Sequence, residues 1–508
     1  MTSMSRRNFL KGLGVGIAAM SLRKSSSFAD EPNDKPNIVF FLADDLGWRD
    51  TSLYGSTFYE TPNIDALAKR GMMFTNAYAA NPLCSPTRAS ILTGQYPARI
   101  GITSPACHLQ QVVLDKSLQD KASPRSKWLV ANSLTRLKRT FHTLAEALID
   151  VGYITGHFGK WHLGPEPYSP RHHGFDVDFP RWHGPGPPSQ YLAPWRLSPK
   201  MTIKQGEKGD HIEDLVATKA IAFIRANKGR PFFVNYWAFS VHAPHEAKPQ
   251  LEQKYKAKAS PEDPQRQPVN AGMIETLDAN VGRITKTIDE LGLTDNTIIV
   301  FFSDNGGIHW PSKQCYPDVP VTSNSPLRGG KATIYEGGTR EPCIIIWPGV
   351  VRPGSTSEQI ISSIDFYPTI LEMIRARPKP GQNFDGISIV PALNGRRLAR
   401  DTIFCHFPHG PANREGFQPS TYVRKGDWKL IRFYADGPDQ TDRYELYNLA
   451  DDIGEKNDLA KEYPQKVKEL DAMIDRFLED TQAVVPKANP AYDPKAKPPP
   501  PARKNLAS

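Results

Sequence analysis

Cysteine is scarce in this sequence, and its number is odd. The 508 residues include only five cysteines, which are Cys84, Cys107, Cys315, Cys343 and Cys405. At most two disulfides can form, so at least one thiol is left outside any pair. A chain of this length can bury a sizeable core without disulfides, in one large α/β domain and a smaller one.

Long apolar runs are also missing, and no stretch approaches the roughly 20 residues that span a bilayer. The N-terminus instead has Arg6-Arg7, then Phe9-Leu10-Lys11, a short mildly apolar run and Ser27-Phe28-Ala29. This pattern is typical of a twin-arginine export signal, here over residues 1–29, the alternative being a basic leader without that role. No cysteine lies near the cleavage site. We expect export in folded form by the twin-arginine machinery, to the periplasm or beyond, with no stable membrane anchor.

The body of the chain lacks net charge, although the whole sequence carries +9 at pH 7. Residues 1–29 contribute +5 of that charge, and the Pro/Lys-rich residues 485–508 contribute +4. The high charge therefore belongs to the two ends. A basic nucleic-acid-binding protein is excluded on this distribution.

The sequence does contain an alternation of apolar runs and amphipathic segments, which predict buried strands and helices. The predicted strands are 36–45, 231–240, 296–306 and 342–349, and the predicted helices are 63–71, 142–152, 212–227, 272–291 and 363–375. This order indicates an α/β fold over 36–395. We expect a large doubly wound, mixed but mostly parallel sheet flanked by helices.

The pattern changes after Asn394-Gly395. Residues 422–434 and 443–452 alternate like antiparallel strands, and residues 463–480 have the period of an amphipathic helix. We expect a smaller α+β domain over 396–484, with an antiparallel sheet and one helix. An extended or disordered tail is predicted for 485–508.

Acidic and amide side chains follow two of the predicted buried strands, as Asp44-Asp45 and as Asp304-Asn305. Ligands of open α/β sheets bind beyond the carboxyl ends of the strands. Four oxygen donors suit Ca²⁺ or Mg²⁺ rather than zinc. The alternative is that these residues only cap the next helices. Because two such pairs follow two strands, a metal site is the better prediction.

Cys84 lies in "LCSPTRASILTG", just before Pro86 at the predicted start of a helix. A buried structural thiol and a nucleophile of low pKa both fit that position. The composition does not distinguish between them.

The motif around this cysteine does distinguish between the possible roles of Cys84. Cys84-x-Pro86-x-Arg88, followed by Ala89 to Gly94, resembles the modification motif of type I sulfatases, the formylglycine-dependent, arylsulfatase-like family of the alkaline-phosphatase superfamily. A second motif of that family is similar to "GYITGHFGKWHLG" (152–164). Further segments occur in the family's order: "ADD" (43–45), "VHAPH" (241–245), "SDNG" (303–306) and "RGGKATIYEGGTREP" (328–342).

The resemblance implies that a formylglycine-generating enzyme converts Cys84 to Cα-formylglycine. It further implies a Ca²⁺ site, with Mg²⁺ as the alternative ion, and a set of catalytic residues. The implied metal ligands are Asp44, Asp45, Asp304, Asn305 and the modified Cys84, and the implied catalytic residues are Cys84, Arg88, Lys160, His162, His242 and Lys331.

The implied reaction is hydrolysis of a sulfate ester to an alcohol and inorganic sulfate. One hydroxyl of the hydrated aldehyde attacks sulfur, and the second later expels sulfate. Lys160 and Lys331 stabilise charge on the sulfuryl oxygens. His242 protonates the leaving alcohol, and His162 accepts the proton of the second hydroxyl.

Two other functions stay open: a phosphate or phosphonate ester hydrolase of the same superfamily, and a catalytically silent glycan-binding protein.

Export favours a sulfated carbohydrate or polysaccharide as the substrate. The predicted sugar contacts are His172, His173, Trp182, His245, His309 and Arg414.

The modification can be tested by mass. In protein from its native source, we expect the tryptic peptide that contains Cys84 to be about 18 Da lighter than its thiol form, because an aldehyde has replaced the thiol. Hydride reduction should shift this mass again. An unmodified thiol would contradict the formylglycine mechanism and favour the silent protein.

Overall fold

The computed structural model describes residues 35–195, 203, 206–410 and 415–496. The predicted signal over 1–29, Arg414 and the end of the predicted tail, 497–508, lie outside the described residues. The strands are β1 (Asn37–Ala43), β2 (Met72–Tyr78), β3 (Ser117–Leu118), β4 (Trp128–Leu129), β5 (Ala131–Asn132), β6 (Ile154–Gly159), β7 (Val177–Phe179), β8 (Phe232–Trp237), β9 (Thr297–Ser303), β10 (Arg340–Ile346), β11 (Ser355–Ser357), β12 (Ile361–Ser362), β13 (Thr402–Phe407), β14 (Ser420–Lys425), β15 (Trp428–Phe433), β16 (Arg443–Asn448) and β17 (Lys487–Ala488).

The helices connect these strands and cover the sheet. They are α1 (Pro62–Arg70), α2 (Cys84–Thr93), α3 (Pro97–Ile100), α4 (Leu144–Asp150), α5 (Ile212–Asn227), α6 (Pro249–Lys258), α7 (Pro268–Glu290), α8 (Glu336–Thr339), α9 (Phe366–Met373), α10 (Val390–Leu393) and α11 (Pro464–Asp480). Within the described part of the chain, each helix is too short or too polar to cross a membrane.

The large sheet has the strand order β11-β2-β10-β9-β1-β8-β6-β7, with β12 also paired to β2. Strands β9, β1, β8, β6 and β7 are parallel to one another, whereas β10 runs antiparallel to both β9 and β2. The prediction of a mixed, mostly parallel sheet is confirmed. The apolar run at 342–349 did not reveal that β10 is the reversed strand, because a strand buried on both faces has the same composition in either direction.

Helices cover both faces because the central strands are apolar on both sides. Successive side chains of a strand point to opposite faces, so Phe40 and Phe41 of β1 enter different cores. Phe40 packs with residues of α2, α4 and α9, and Phe41 packs with residues of α1, α5 and α7. This doubly wound arrangement puts the carboxyl ends of β1, β8, β9 and β6 on one edge of the sheet.

The second sheet is an antiparallel meander, β13-β14-β15-β16, and α11 packs against it. Leu470 and Ile474 of α11 share a core with Val423 of β14 and Leu430 of β15. The strands β14 and β15, the strand β16 and the helix α11 fall within the segments predicted from sequence, with small differences at their ends. At the start of the tail, β17 pairs with β4, which lies between α3 and α4.

A buried ion network joins this second sheet to the large one. Lys429 of β15 lies between Glu336, 2.9 Å away, and Glu455, 2.8 Å away, and all three side chains are fully buried. Glu336 also accepts a hydrogen bond of 2.6 Å from the hydroxyl of Tyr78 on β2. Contacts from both sheets therefore hold the residues at the start of α8 in place.

Replacing this lysine should destabilise the fold. We expect Lys429→Met to lower the free energy of unfolding by about 3–5 kcal/mol, because it leaves buried carboxylates without their cation. Urea denaturation followed by fluorescence measures the change. Lys466→Met is the matched control, since Lys466 pairs with Glu469 on the exposed face of α11, and its cost should stay within about 0.5 kcal/mol. Equal losses in the two variants would contradict this role for the network.

Candidate active site

The predicted acidic pairs lie side by side at one edge of the sheet. Strands β1 and β9 pair in parallel up to Ala43 and Ser303, so Asp44-Asp45 and Asp304-Asn305 leave the sheet together. The backbone N–H of Asp45 lies 3.3 Å from Oδ1 of Asp304. All four side chains are buried. The fold therefore brings three carboxyl groups and one amide into one small volume.

Cys84 begins helix α2 and is buried next to these acids. Ligand atoms of Cys84, Asp44 and Asp304 all lie within 4.8 Å of one another. The sulfur is 3.4 Å from Nδ1 of His162. Burial raises the pKa of the thiol, so the unmodified side chain keeps its proton. The helix start at this thiol agrees with the sequence prediction, whereas a low-pKa nucleophile does not agree with its surroundings.

Arg88 lies one turn further along α2 and points at the same acids. Its Nε donates a hydrogen bond of 2.9 Å to Oδ2 of Asp304, and its Nη2 forms an ion pair of 2.6 Å with the same oxygen. A third nitrogen–oxygen contact of 2.9 Å reaches the backbone carbonyl of Lys160. The group is fully buried, and its contacts fix the relative positions of α2, β9 and the loop after β6.

Two lysines reach the acids from other loops. Nζ of Lys160 is 2.5 Å from Oδ2 of Asp44, and Nζ of Lys331 is 2.6 Å from Asp45. Burial alone would lower the pKa of Lys331, but the charge of Asp45 raises it overall. Burial would likewise raise the pKa of Asp45, but Lys331 and His242 lower it. Lys331 and Asp45 are therefore held in a close ion pair.

The placement of Lys160 depends on Gly159, the last residue of β6. The backbone N–H of Lys160 donates to the carbonyl of Trp237 on β8 at 2.7 Å. Gly159 has φ +111°, and a Cβ there would lie 1.9 Å from that same carbonyl oxygen. Only glycine permits this approach. Asp45 and His162 also adopt positive φ, at 63° and 55°, so the backbone is strained at two of the positions that face the cysteine.

Two histidines complete the cluster. Nε2 of His242 lies 3.9 Å from Oδ2 of Asp45, and its Nδ1 is 2.7 Å from the carbonyl of Ala243. Burial lowers the pKa of both His242 and His162 well below its usual value, and Lys160 lowers both further. Both rings are neutral in this environment.

The donor set fits a hard cation. Oδ1 of Asp44 and Oδ1 of Asn305 are buried and accept no hydrogen bond from any described residue. Buried oxygens without partners are costly, and a cation would satisfy them. Carboxylate and amide oxygens are ligands for Ca²⁺ or Mg²⁺. The helix-capping alternative is wrong, because none of the four residues is the N-cap of a described helix.

Some of the predicted sugar contacts lie elsewhere. His173 is fully buried against the ring of Trp161, with Nδ1 3.1 Å from the carbonyl of Ser169, so it serves the core rather than a cleft. His172 pairs with Glu166 at 2.8 Å in the same loop. The burial of His173 contradicts its assignment as a sugar contact. His172 remains partly exposed beside Glu166, so its assignment stays a prediction.

Other predicted contacts lie beside the cluster. Burial lowers the pKa of His245. The nearby charge of Asp45 raises that pKa and the nearby charge of Lys331 lowers it, so the ring lies close to both groups. Trp182 donates to the carbonyl of Gly186, where a Cβ would lie 3.2 Å from Nδ1 of His242. His309 approaches Gly330, next to Lys331. Arg414 lies outside the described residues.

The structure adds His108 to the candidate site. Nδ1 of His108 is 2.9 Å from Nε2 of His162, on the side of that ring opposite Cys84. No motif singled out this residue in the sequence, since it lies in the loop-rich segment 103–140 without a periodic pattern around it. Only the path of this loop across His162 reveals it.

Known proteins resemble this chain in sequence and in fold. The family model described as Sulfatase matches residues 36–376, that of N-sulphoglucosamine sulphohydrolase, C-terminal, matches 330–483, and that of the TAT (twin-arginine translocation) pathway signal sequence matches 3–22. A protein from Formosa agariphila named Sulfatase is 33% identical over 92% of either chain. The N-acetylgalactosamine-6-sulfatase of Homo sapiens is 33% identical over 73% of this chain and 68% of its own. The crystal structure of Ps i-CgsB in complex with k-i-k-neocarrahexaose matches with a TM-score of 0.71 and 27% identity, over 88% of this chain and 94% of that one.

A cation at this cluster should stabilise the protein. We expect Ca²⁺ at about 100 times its dissociation constant to raise the free energy of unfolding by about 2.7 kcal/mol, and EGTA to reverse the gain. Thermal unfolding with and without Ca²⁺ or Mg²⁺ measures the effect. Asp304→Asn should abolish most of the response.

Glu341→Gln is the matched control for this variant. Glu341 is buried at the start of β10, neither of its oxygens has a hydrogen-bond partner among the described residues, and burial raises its pKa well above the usual value. It is therefore neutral, and its amide should keep the Ca²⁺ response. A response that survives in Asp304→Asn would contradict the assignment of the cluster.

Proposed function

The chain belongs to the sulfatase family and is an exported sulfuric ester hydrolase, and from this premise we propose that it hydrolyses the sulfate ester of a carbohydrate. The products are the free alcohol and inorganic sulfate. We propose further that position 84 carries Cα-formylglycine and that a Ca²⁺ ion binds beside it. The observation that carries the proposal is a single cluster that contains Cys84, three carboxyl groups, three cations and two histidines.

A thiol is the right precursor at that position. The hydrated aldehyde that derives from it offers two hydroxyls on one carbon, one to attack sulfur and one to release the sulfate afterwards. A serine has a single hydroxyl and lacks the second function. A formylglycine-generating enzyme would install the aldehyde in the cytoplasm, before the folded protein is exported through the twin-arginine route.

Asp44, Asp45, Asp304 and Asn305 are the residues that would hold Ca²⁺. The bound ion supplies positive charge for a sulfuryl oxygen and favours deprotonation of a nearby hydroxyl. Arg88 keeps Asp304 in place through its two contacts of 2.6 and 2.9 Å. The neighbouring protein groups therefore form a preorganised frame before any substrate arrives.

The cations bind and orient the sulfate group. Lys160 and Lys331 each lie within 2.6 Å of one carboxylate, Asp44 for the first and Asp45 for the second. Their charges attract an anionic ester and stabilise the charge that develops on the sulfuryl oxygens as the S–O bond breaks. Because both groups are largely buried, solvent screens this attraction only weakly.

The two histidines handle protons at different steps. Burial keeps His242 neutral in the free site, but a bound sulfate ester adds negative charge next to the ring and favours its protonated form. The proton then passes to the oxygen of the leaving alcohol, which is a poor leaving group as an alkoxide. His162, 3.4 Å from the sulfur of Cys84, is placed to accept a proton from a hydroxyl at position 84.

A carbohydrate substrate is supported by the relatives and by the surroundings of Lys331. One relative is named N-acetylgalactosamine-6-sulfatase, and one solved structure holds a neocarrahexaose. In this chain, His309, Trp310 and Phe417 line a cavity of about 320 Å³ that borders Gly329, two residues before Lys331. Aromatic rings of this kind stack on the apolar faces of sugar rings. A carbohydrate bound to the catalytic cluster would extend along this wall.

How much His242 contributes to the rate of hydrolysis depends on the leaving group. We expect the modified enzyme to release sulfate from oligosaccharides that contain N-acetylgalactosamine 6-sulfate. His242→Ala should lower kcat/KM on this substrate by about 10²- to 10⁴-fold, because the alcohol leaves without its proton. On 4-nitrophenyl sulfate the loss should be at least tenfold smaller, because a phenolate needs little protonation. Sulfate release and nitrophenolate absorbance measure the two rates.

Cys84→Ser is the reference for background, and it should turn over neither substrate while it remains folded. Equal losses on both substrates in His242→Ala would contradict its role as the acid. Preferential hydrolysis of a phosphonate ester by the wild-type enzyme would favour the phosphate or phosphonate hydrolase. Binding of the oligosaccharide without release of sulfate would favour the silent glycan-binding protein.

A further inference from the structure

His162 contacts a second imidazole that belongs to none of the sulfatase-like motifs in the sequence. Nδ1 of His108 lies 2.9 Å from Nε2 of His162, and the two ring centroids are 5.1 Å apart with an interplanar angle of 39°. The geometry is that of an in-line hydrogen bond between two ring nitrogens, and not of stacked rings. Cys84, His162 and His108 thus form a row that runs from the buried sulfur to the half-buried loop.

The loop that carries His108 is held firmly. Arg136 is almost fully buried and donates to the backbone carbonyls of Cys107 at 3.4 Å and Leu109 at 2.8 Å, one on either side of His108. The side chain of Cys107 is itself buried in the core. This arrangement leaves His108 little freedom to move away from His162.

The hydrogen bonds along the row fix where the protons lie. A neutral imidazole has one N–H donor and one acceptor nitrogen. The thiol of Cys84, or a hydroxyl in its place, needs an acceptor. The carboxyl groups of Asp44 and Asp304 lie within 4.8 Å of the sulfur, but Lys160 and Arg88 already pair with them. The cations themselves offer only donors. Nδ1 of His162 is the acceptor at 3.4 Å. Its proton must then be on Nε2, which donates to Nδ1 of His108.

We propose that His108 is a positioning residue for the sulfatase reaction, because it holds His162 in the Nε2–H tautomer with its Nδ1 lone pair aimed at position 84. The inference rests on the proposed function for its consequence in catalysis. In the release step, the second hydroxyl gives its proton to Nδ1 of His162, the electron pair of that O–H bond forms the C=O bond, and the C–O bond to sulfate breaks with its electrons on the sulfate oxygen. The wrong tautomer would present an N–H to this hydroxyl and accept nothing.

Kinetics of two variants test the proposal. His108→Leu removes the acceptor, and we expect kcat to fall on the order of 10- to 100-fold, as for other residues that orient a catalytic histidine. KM should change less than twofold, because His108 acts through His162 and not on the substrate. His108→Asn keeps an acceptor oxygen near the position of Nδ1, and it should recover most of kcat. His142→Asn is the control histidine, since His142 pairs with Asp150 beside α4, and it should leave kcat and KM unchanged.

A spectroscopic readout tests the tautomer without any activity. In protein expressed with the unmodified thiol at position 84 and with ¹⁵N-labelled histidine, the Nδ1 of His162 should resonate as an unprotonated nitrogen and Nε2 as a protonated one. His162→Gln assigns the signals. His108→Leu should shift them toward a mixture of tautomers, and His108→Asn should preserve them.

These measurements separate the inference from the proposed function. Absence of sulfatase activity in the wild type would remove the proposed function, whereas the nitrogen signals would still report on the row of histidines. A raised KM with unchanged kcat in His108→Leu would make His108 a substrate contact and overturn the proposal. Unchanged nitrogen signals in that variant, or equal losses in His108→Leu and His108→Asn, would also overturn it.

Discussion

Three carboxyl groups buried at the ends of two adjacent strands are the constraint on which this structure depends. Asp44, Asp45 and Asp304 are removed from water together, and unpaired charges in that position would cost several kcal/mol each. Arg88, Lys160 and Lys331 compensate them within short distances. In the function proposed above, the same pairing gathers the positive groups that bind an anionic ester. Stability and that proposed role then depend on one set of contacts.

This compensation needs the whole doubly wound fold, because its members are far apart in sequence. The acids follow β1 and β9, Arg88 comes from α2, Lys160 follows β6, and Lys331 lies in the loop before α8. Parallel pairing places the strand ends on one edge, and the segments that follow them bring these side chains together there. Positive φ at Asp45 and His162 indicates that this edge is built at some cost to the backbone.

Much of this arrangement could be predicted from the sequence, and the elements that could not be predicted have physical reasons. Apolar runs located β1, β8, β9 and β10, and the motifs located the residues that surround Cys84. Strands β2 and β13 escaped prediction because threonine, asparagine and histidine interrupt their apolar patterns, although the sheets bury them. His173 looked like a ligand and belongs to the core, whereas His108 looked like a loop residue and contacts His162. Such assignments depend on loop paths, which periodicity does not encode.

The small second sheet is part of the catalytic unit rather than an appendage. Residues 328–341 connect the two: Lys331 meets Asp45, while Arg328 donates to Tyr447 of β16 and Glu336 pairs with Lys429 of β15. The overlap of the two family matches over 330–376 falls on the same segment. A loop that carries a cation into a buried acidic cluster must be anchored at both ends. The second sheet supplies one of the anchors, so its loss would release Lys331 even with the large sheet intact.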